Sequence, residues 1–434
     1  MKKTAYSRDL EIPVIASVDV LVIGGGPGGL GASVMSARSG AKTLLVERYG
    51  CLGGMVFQGE VTPFMANHYQ GKSLDRLIYL EWCQRMLEYR TEEERKANPP
   101  CPDFRLFPIA KDDAMLAMED MILESGAQIL YHHTLADVIT EDGKIKYAVF
   151  QSKSGLTAIE SKVFVDSTGD GDLAVLAGCE YEIGNDDNYC QPMTTCFKLS
   201  HIDRSRMPEH PEINRLYDEA KERGEIHCLR ENVLFFYTLE DDVLHFNTTR
   251  IIKKSGVNAF ELSEAEIEGR KQIREYLAFF RKYVPGFENA RIQSIASHVG
   301  IRETRRIRGI VYQTKDDFFS RAKYPDSIIR CNYMIDIHNP GGSGTEIHRI
   351  GDNDWYEIRY GAIVPAGCKN LLMACRAISV DHALHSSVRV IPPVCSIGQA
   401  AGVAAAYSVK ENILVPEISG EEIHRKLEEL GAFL

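Results

Sequence analysis

The sequence predicts an α/β fold in which a parallel sheet is interrupted by a β-rich α+β segment. Residues 18–23 (VDVLVI) are an apolar run that ends in glycines, residues 29–39 carry small and apolar residues at helical spacing, and residues 43–47 (TLLVE) are a second apolar run. A strand, a helix and a strand within about 30 residues form a parallel βαβ unit. From about 190 to 250 the pattern changes to the period-2 alternation that is typical of antiparallel strands.

The remaining elements follow from composition and periodicity. Residues 91–103 are charged and then proline-rich, which predicts a solvated loop, and Ser263 with Glu266 predicts the start of a helix that runs to Tyr283. Further strands are expected at 127–139, 144–150, 162–167, 193–200, 233–239, 243–249 and 370–374, and further helices at 111–125 and 392–410. We expect three segments: a first part of a nucleotide domain with an insertion at about 60–105, a substrate domain, and a return segment, at 1–182, 183–358 and 359–434.

Bulk properties exclude some classes of function. The chain has 434 residues, 44% of them hydrophobic, and a formal net charge of −11, which disfavours a nucleic-acid partner. No apolar run is long enough to span a bilayer, and no apolar segment follows the first lysines, so neither a membrane anchor nor a signal peptide is expected. Eleven cysteines without a CxxC pair favour reduced thiols and a cytoplasmic location.

The glycine-rich turn at residues 24–29 predicts a nucleotide site. Gly24, Gly26 and Gly29 have the GxGxxG spacing, and Pro27 and Gly28 complete the turn. The first glycine permits a tight strand-to-helix turn, the second lets the backbone approach a pyrophosphate, and the third lets helix and strand pack closely. The start of the helix then offers free N–H groups to the pyrophosphate. A glycine-rich turn that binds no ligand is the alternative.

An acidic residue ends the second strand of this unit. Glu47 lies 47 − 29 = 18 residues after the third glycine, where a carboxylate accepts hydrogen bonds from ribose hydroxyls. A carboxylate at this position disfavours a 2′-phosphate, so NADP fits poorly. The spacing alone leaves FAD and NAD open.

Three segments resemble glutathione-reductase-type FAD proteins and favour FAD. ERYGCLGGM resembles their segment after the acid, VDSTGDGD their second cofactor motif, and NLLMACRAIS with the helix after it their late motif. Besides the glycine turn and Glu47, the cofactor-binding residues implied by this resemblance are Arg48, Gly53, Gly54, Met55, Val138, Thr168, Gly169, Asp170, Asp172, Cys375, Arg376, Gln399 and Ala400.

Nearly the whole chain resembles the bacterial FAD-dependent oxidoreductase family, which is distantly similar to the fumarate reductase flavoproteins. The likeness includes VPGFENA at 284–290, HVGIRETRRIRG at 298–309, YMIDIH at 333–338 and YEIRYGAIVP at 356–365. It implies a Rossmann-type FAD-binding domain and a helix that begins near Pro392 and faces the flavin. Reduced flavin carries negative charge, which a helix N-terminus stabilises.

Five residues are candidates for handling the substrate. Arg302 lies in an arginine-rich stretch that could bind a carboxylate or the FAD pyrophosphate, and His338 alternates with Asp336 on a predicted strand. His382, His385 and Arg389 lie between the late strand and the helix that faces the flavin. A histidine there can move a proton while the flavin takes a hydride. A solvated basic face and structural histidines remain the alternatives.

The sequence leaves the partner chemistry open. No second GxGxxG follows a strand, so a separate NAD(P)H domain is not expected, and no histidine or cysteine spacing is typical of a metal site. We expect a small organic substrate and an unidentified electron donor or acceptor. Two alternatives are a flavin-binding electron-transfer or sensor module without a substrate of its own, and a flavin-dependent isomerase or hydratase.

Overall fold

The computed structural model describes residues 10–97, 108–351 and 353–434. In these ranges the strands are β1 Val14–Ile23, β2 Thr43–Val46, β3 His68–Tyr69, β4 Lys72–Ser73, β5 Gln128–Leu130, β6 Thr134–Glu141, β7 Lys144–Ser152, β8 Gly155–Asp166, β9 Tyr181–Ile183, β10 Phe197–Ser200, β11 Phe235–Tyr237, β12 Leu244–Phe246, β13 Arg291–Ile295, β14 Arg305–Ile307, β15 Ser327–Cys331, β16 Ile335–His338, β17 Thr345–His348, β18 Tyr356–Arg359 and β19 Leu371–Met373. The helices are α1 Pro27–Arg38, α2 Ile78–Met86, α3 Glu92–Ala97, α4 Lys111–Glu124, α5 Asp172–Leu176, α6 His210–Glu222, α7 Ala259–Tyr283, α8 Lys315–Ser320, α9 His382–Val388, α10 Ile391–Glu411 and α11 Gly420–Glu429.

The largest sheet has the order β5-β2-β1-β8-β7-β6, and β19 also pairs with β8. Strands β5, β2, β1, β8 and β19 are parallel, whereas β6 and β7 form an antiparallel meander with β8. Ile23, Asp166 and Met373 lie in register at the ends of their strands. The predicted α/β fold class is confirmed, and the carboxyl ends of the strands meet at one edge, where open α/β sheets bind their ligands.

Helices α1 and α10 pack backbone to backbone on this sheet. A Cβ atom at Gly398 would overlap the carbonyl oxygen of Gly28, and one at Gly402 would overlap that of Ala32. Because the two contacts advance together along both helices, the helices run in the same direction. The first two turns of α10 therefore extend past the start of α1, toward the carboxyl ends of the strands.

A second core lies beneath an antiparallel sheet of order β11-β12-β10-β13. The rings of Phe197 and Phe246 stack with centroids 4.9 Å apart, and Phe246 contacts Phe280 of α7 at 5.0 Å. This second core contains residues between 197 and 290, whereas the first core contains residues up to 179 and from 307 onward. The period-2 pattern predicted these antiparallel strands, but the segment boundaries at 182 and 358 stay a prediction.

Three predicted elements differ from the structure. Helix α7 begins at Ala259 because the side chain of Asn258 caps it, and Ser263 instead donates to the carbonyl of Ala259. The segment predicted as strand 127–139 is two strands, β5 and β6, with a break between them. The loop predicted at 91–103 contains α3, because Thr91 and Glu94 form a reciprocal cap, while residues 98–103 lie outside the described ranges.

No single helix in the described ranges is long and apolar enough to cross a membrane. Helices α9 and α10 reach that length and composition only together, and they are bent by 92° where they meet.

Candidate functional site

The glycine turn between β1 and α1 is shaped by close backbone contacts. Gly24 has a φ of 106°, and a Cβ atom there would overlap the carbonyl of Ser167 at the end of β8. A Cβ atom at Gly29 would overlap the carbonyl of Gly24, and one at Gly28 would overlap that of Ala374. These glycines let three strand ends and one helix start come together.

Gly26 differs from its neighbours because open space faces it. The nearest atom to a Cβ built at Gly26 is the Cα of Gly54, at 3.8 Å. Pro27 follows in the first turn of α1, where a missing N–H costs no hydrogen bond. Gly26 therefore presents bare backbone beside the start of a helix, and a Cβ atom there would overlap no described atom.

Glu47, which follows β2, holds the glycine turn through hydrogen bonds to backbone N–H groups. Oε2 of the buried Glu47 accepts from the backbone N of Gly25 at 2.7 Å, and Oε1 accepts from that of Tyr49 at 2.9 Å. Each carboxylate oxygen has two lone pairs and therefore keeps one for a further donor. Glu47 can hold the turn and accept from a ribose hydroxyl together.

The segment after Glu47 folds over the glycine turn. The N of Gly53 donates to the carbonyl of Gly25 at 2.8 Å, and Gly54, with a φ of 51°, faces Gly26. Met55 starts the next turn, since its carbonyl accepts from Gly59. The guanidinium of Arg48 lies 4.8 Å from the centroid of the Tyr49 ring. Of the four residues predicted in this segment, Gly53 and Gly54 contact the glycine turn, while Arg48 and Met55 contact their own segment.

The turn after β8 lies beside the same glycines. Thr168 Oγ1 donates to Asp166 at 2.7 Å and accepts from the N of Asp172 at 3.0 Å, which fixes the loop into α5. Oδ1 of Asp170 accepts from Arg376 and from Thr304 Oγ1, and Gly169 packs under the Arg376 guanidinium. The second and late motifs therefore meet through one ion pair.

The other predicted cofactor residues lie just after β19, inside α10 and in β6. Cys375 is buried beside Arg376, and burial raises the pKa of its thiol to about 12, so it stays a protonated thiol. Gln399 and Ala400 lie more than two turns inside α10, where the Gln399 side chain accepts from the N of Ile78 at 3.3 Å. Val138 lies in β6, paired with Ala148 and partly buried against the first core.

Buried polar atoms around these turns test whether a charged dinucleotide fits. Within the described part of the chain, the buried Nε atoms of Arg305 and Arg376, whose other guanidinium nitrogens bond Asp172 and Asp170, have no hydrogen-bond partner. Buried donors without acceptors are costly unless a ligand supplies the acceptors. The open backbone at Gly26 together with these donors fits an anionic cofactor such as FAD.

A charged group lies next to the start of α10. The Nη2 atom of Arg389 donates to Oε1 of Gln191 at 3.5 Å and lies 3.9 Å from Oδ2 of Asp336. His338 Nε2 is 3.6 Å from the same Asp336 oxygen. Nη1 of Arg302 donates to the Pro192 carbonyl and to Thr194 Oγ1, both at 2.7 Å.

The ionisable side chains of this group differ in how far, and in which direction, their pKa values are shifted. Burial alone would raise the pKa of Asp336, but His338, Arg389 and Arg302 hold it well below its usual range, so Asp336 is ionised. Burial and then the charge of Arg302 lower the pKa of His338 to about 3, against the pull of Asp336, so this imidazole is neutral near pH 7. Burial, then Arg389, lowers the pKa of Arg302 to about 9.

The two histidines of α9 occupy a neighbouring group. His382 Nδ1 lies 2.8 Å from Oε1 of the buried Glu303, which also accepts from Arg306. His385 is fully buried, and its pKa lies well below the usual value because of burial and then the charges of Arg306 and Arg389. Of the five predicted substrate-handling residues, the structure brings Arg302, His338 and Arg389 together. His382 and His385 belong to the neighbouring group around Glu303.

Gln191 and Glu303 belong to these groups, and the sequence singled out neither of them. Gln191 bonds Arg389, and Glu303 accepts from the N of Gln191 at 3.0 Å and thereby links the two groups. Gln191 stands in the irregular segment CQPMTTC, where no periodicity indicates its direction. In the described ranges, no three His, Cys, Asp or Glu side chains come together as metal ligands.

Parts of the chain are similar to known proteins. A thiamine thiazole synthase from Methanococcus maripaludis is 30% identical over 169 residues, which are 37% of this chain and 59% of that protein. A dihydrolipoyl dehydrogenase from Trypanosoma brucei brucei is 50% identical over 42 residues, which are 10% of this chain and 9% of that protein. A solved structure of a geranylgeranyl bacteriochlorophyll reductase-like protein from Thermoplasma acidophilum has 13% identity and a TM-score of 0.49, covering 96% of this chain and 83% of that one.

The chain spans less than two thirds of the length of the thiamine thiazole synthase that it matches. The family model described as FAD dependent oxidoreductase, in contrast, matches residues 19–427, nearly the whole chain. The chain therefore belongs to the FAD dependent oxidoreductase family, and its cofactor is FAD.

Proposed function

We propose that the chain transfers two electrons, as a hydride, between FAD and a small organic substrate held by Arg302, Asp336, His338 and Arg389. The observation that carries this proposal is that the charged group adjoins the start of α10, which extends past the glycine turn toward the carboxyl ends of the strands. A cofactor that reaches from the turn to this helix start would end beside the charged group.

The residues that would hold FAD follow from the contacts at the turn. Gly26 and the start of α1 would bind the pyrophosphate, and Glu47 would accept from the ribose. The Asp170–Arg376 pair and the loop at Thr168 would line the path toward α10. When bound, FAD supplies reversible two-electron chemistry at its ring.

The start of α10 and Arg389 would stabilise the negative charge that the ring gains on reduction. Pro392 and Pro393 stand in the first turn of this helix, where proline is tolerated because these positions lack intrahelical acceptors for their N–H groups. Because burial and the charge of Arg302 lower the pKa of His338 to about 3, this imidazole is neutral near pH 7 and would orient a substrate by hydrogen bonding rather than take its proton.

Two alternatives remain beside this function. A module that only binds flavin and passes electrons needs no substrate site, and the cluster of partly buried charges at Arg302, Asp336 and Arg389 argues against it. An isomerase or hydratase that uses FAD without net redox would use the same pocket, and only its products distinguish it. We further propose a cytoplasmic enzyme without a nucleic-acid partner, and the electron donor or acceptor is unassigned.

Cofactor extraction followed by anaerobic mixing tests the proposal. The purified protein should release FAD in about a one-to-one ratio, and at least one member of a panel of small organic compounds should bleach its flavin absorption without oxygen. Mass spectrometry should then find that compound changed by two hydrogen atoms. Conversion of a compound into an isomer or a hydrate, with the flavin spectrum unchanged, would instead support the non-redox alternative.

A further inference from the structure

We propose that the substrate is a small organic carboxylate, and that its carboxylate group is bound by Arg302, Arg389 and the side-chain amide of Gln191. This inference rests on the proposed function because it concerns the same pocket. It adds the chemical class of the substrate and names Gln191 as a residue that determines specificity.

The first support is the charge balance of the pocket. Arg302 and Arg389 carry two positive charges, and Asp336 carries one negative charge, while His338 is neutral. Within the described ranges, no carboxylate lies within 4.0 Å of Arg302, and Asp336 lies 3.9 Å from Arg389. One positive charge in a largely buried place is therefore left without a partner, and a buried unpaired charge is unfavourable unless a ligand neutralises it.

The second support is the set of donors that have no acceptor. Gln191 is 1% exposed, and its Nε2 atom bonds nothing among the described residues, although its Oε1 atom accepts from Arg389. The buried Nε atom of Arg389 also lacks an acceptor, and only Nη1 of Arg302 donates to described residues. A planar carboxylate matches such donors because it accepts two parallel hydrogen bonds from one guanidinium.

The third support is a groove beside the charged group of Arg302, Asp336, His338 and Arg389. An open groove of about 460 Å³ borders the hairpin of β16 and β17, and its lining includes Ile337, Thr345 and His382 but not Arg302, Arg389 or Gln191. Thr345 Oγ1 lies 3.3 Å from Nδ1 of His338, so the groove adjoins the charged group. Its volume is within the range of small-molecule sites.

Free donors of this kind also suit the phosphates of FAD, so the experiment uses protein that already holds its cofactor. Acetate and benzoate are titrated into the FAD-loaded protein, and acetamide and benzamide serve as neutral partners of the same shape. The change in the flavin absorption spectrum and the heat of binding are both measured, and the released flavin is quantified after filtration.

We expect saturable binding of at least one carboxylate, with its amide at least about tenfold weaker, because a hydrogen bond to a charged group contributes more than one to a neutral group. FAD should stay bound throughout. Equal affinity for acid and amide, no saturable binding of either acid, or displacement of FAD by the acids would each overturn the inference.

Two variants locate the site. Gln191→Glu keeps the shape of the side chain but adds a negative charge, and Arg302→Met removes a positive charge. Each should weaken carboxylate binding at least about tenfold while the FAD content stays at the wild-type level. The control Arg281→Met removes an arginine that also donates to a backbone carbonyl, that of Ala290, but lies in α7 away from the pocket, and it should bind like wild type.

Unchanged binding in Gln191→Glu would overturn the inference, because the carboxylate would then bind elsewhere. Should Arg302→Met fail to fold, Arg302→Lys keeps the charge but loses the planar fork, and it should show a smaller loss of affinity. A purified protein without FAD would contradict the proposed function itself, whereas FAD-loaded protein that binds acid and amide equally would contradict only this inference.

Discussion

Oε1 of the buried Glu303 lies 2.8 Å from Nδ1 of His382, and its Oε2 accepts from the backbone N of Gln191 at 3.0 Å. Because Gln191 in turn accepts from Arg389, this one carboxylate connects both ends of α9. A continuous polar network therefore precedes the start of α10, and its charges face the place where we propose that the flavin ring lies.

Arg389→Met should lower the reduction potential of the bound flavin. The substitution keeps much of the side-chain length but removes a fixed positive charge that favours the reduced, negatively charged ring. We expect a shift on the order of 30 mV, which for a two-electron couple equals about 1.4 kcal/mol. A redox titration against wild type measures it, with Arg281→Met as the control. An unshifted potential with an unchanged substrate KM would remove Arg389 from the site.

NADH and NADPH should reduce the flavin slowly or not at all. No second GxGxxG follows a strand, so no separate dinucleotide domain is expected to deliver a nicotinamide to the ring. Anaerobic stopped-flow mixing measures the rate, and chemical reduction with dithionite serves as the positive control. Rapid bleaching by either nucleotide at micromolar concentration would show that a nicotinamide site exists.

Gly31→Ala should destabilise the protein. A Cβ atom at this position would overlap the carbonyl of Cys395 and crowd the N of Gln399, which are backbone atoms of α10 that cannot rotate away. Overpacking of this kind costs typically about 1–3 kcal/mol. Urea unfolding followed by circular dichroism measures the loss. Ser263→Ala on the exposed face of α7 is the control, and equal stability of both variants would contradict the tight packing of α1 on α10.

Acidification should destabilise the protein in part through His245. This imidazole is buried on β12, its two ring nitrogens have no partner among the described residues, and burial lowers its pKa to about 3. Because the unfolded state binds the proton near pH 6.5, the stability contribution of the neutral ring is fully present above that pH and is lost as the pH falls toward 3.

The variant His245→Phe should therefore lose less stability than wild type between pH 8 and pH 5, by on the order of 2 kcal/mol. Urea unfolding at each pH measures the difference. The same dependence on pH in both proteins would mean that His245 is protonated in the folded state.

The local cofactor motifs were predictable because each lies in one short stretch of sequence. The glycines at 24–29 and Glu47 belong to one βαβ unit, so spacing alone gives their relative positions. The register of Ile23, Asp166 and Met373 follows once three strands are recognised as parallel neighbours.

The charged pocket was predictable only in part, because its contacts are distant in sequence. Gln191 meets Arg389 across 198 residues and Glu303 across 112, and no periodicity reports such pairs. Two short sequence patterns also competed to mark the start of α7. Ser263 and Glu266 have the spacing of a helix start, but the Asn258 side chain already caps two backbone N–H groups one turn earlier.

The flavin content of the variant Gly26→Val tests whether FAD binds at the glycine turn. Among the described residues, only the Cα of Gly54, at 3.8 Å, lies within 4 Å of a Cβ atom built at Gly26, so we expect the fold to accept valine there while the pyrophosphate would not. The matched control is Gly342→Val, where the nearest atom is likewise remote, the Nδ2 of Asn339 at 3.9 Å. We predict that wild type and Gly342→Val purify with about one FAD per chain, and that Gly26→Val is colourless with an unchanged circular dichroism spectrum. A folded Gly26→Val protein with a full complement of FAD would contradict the account.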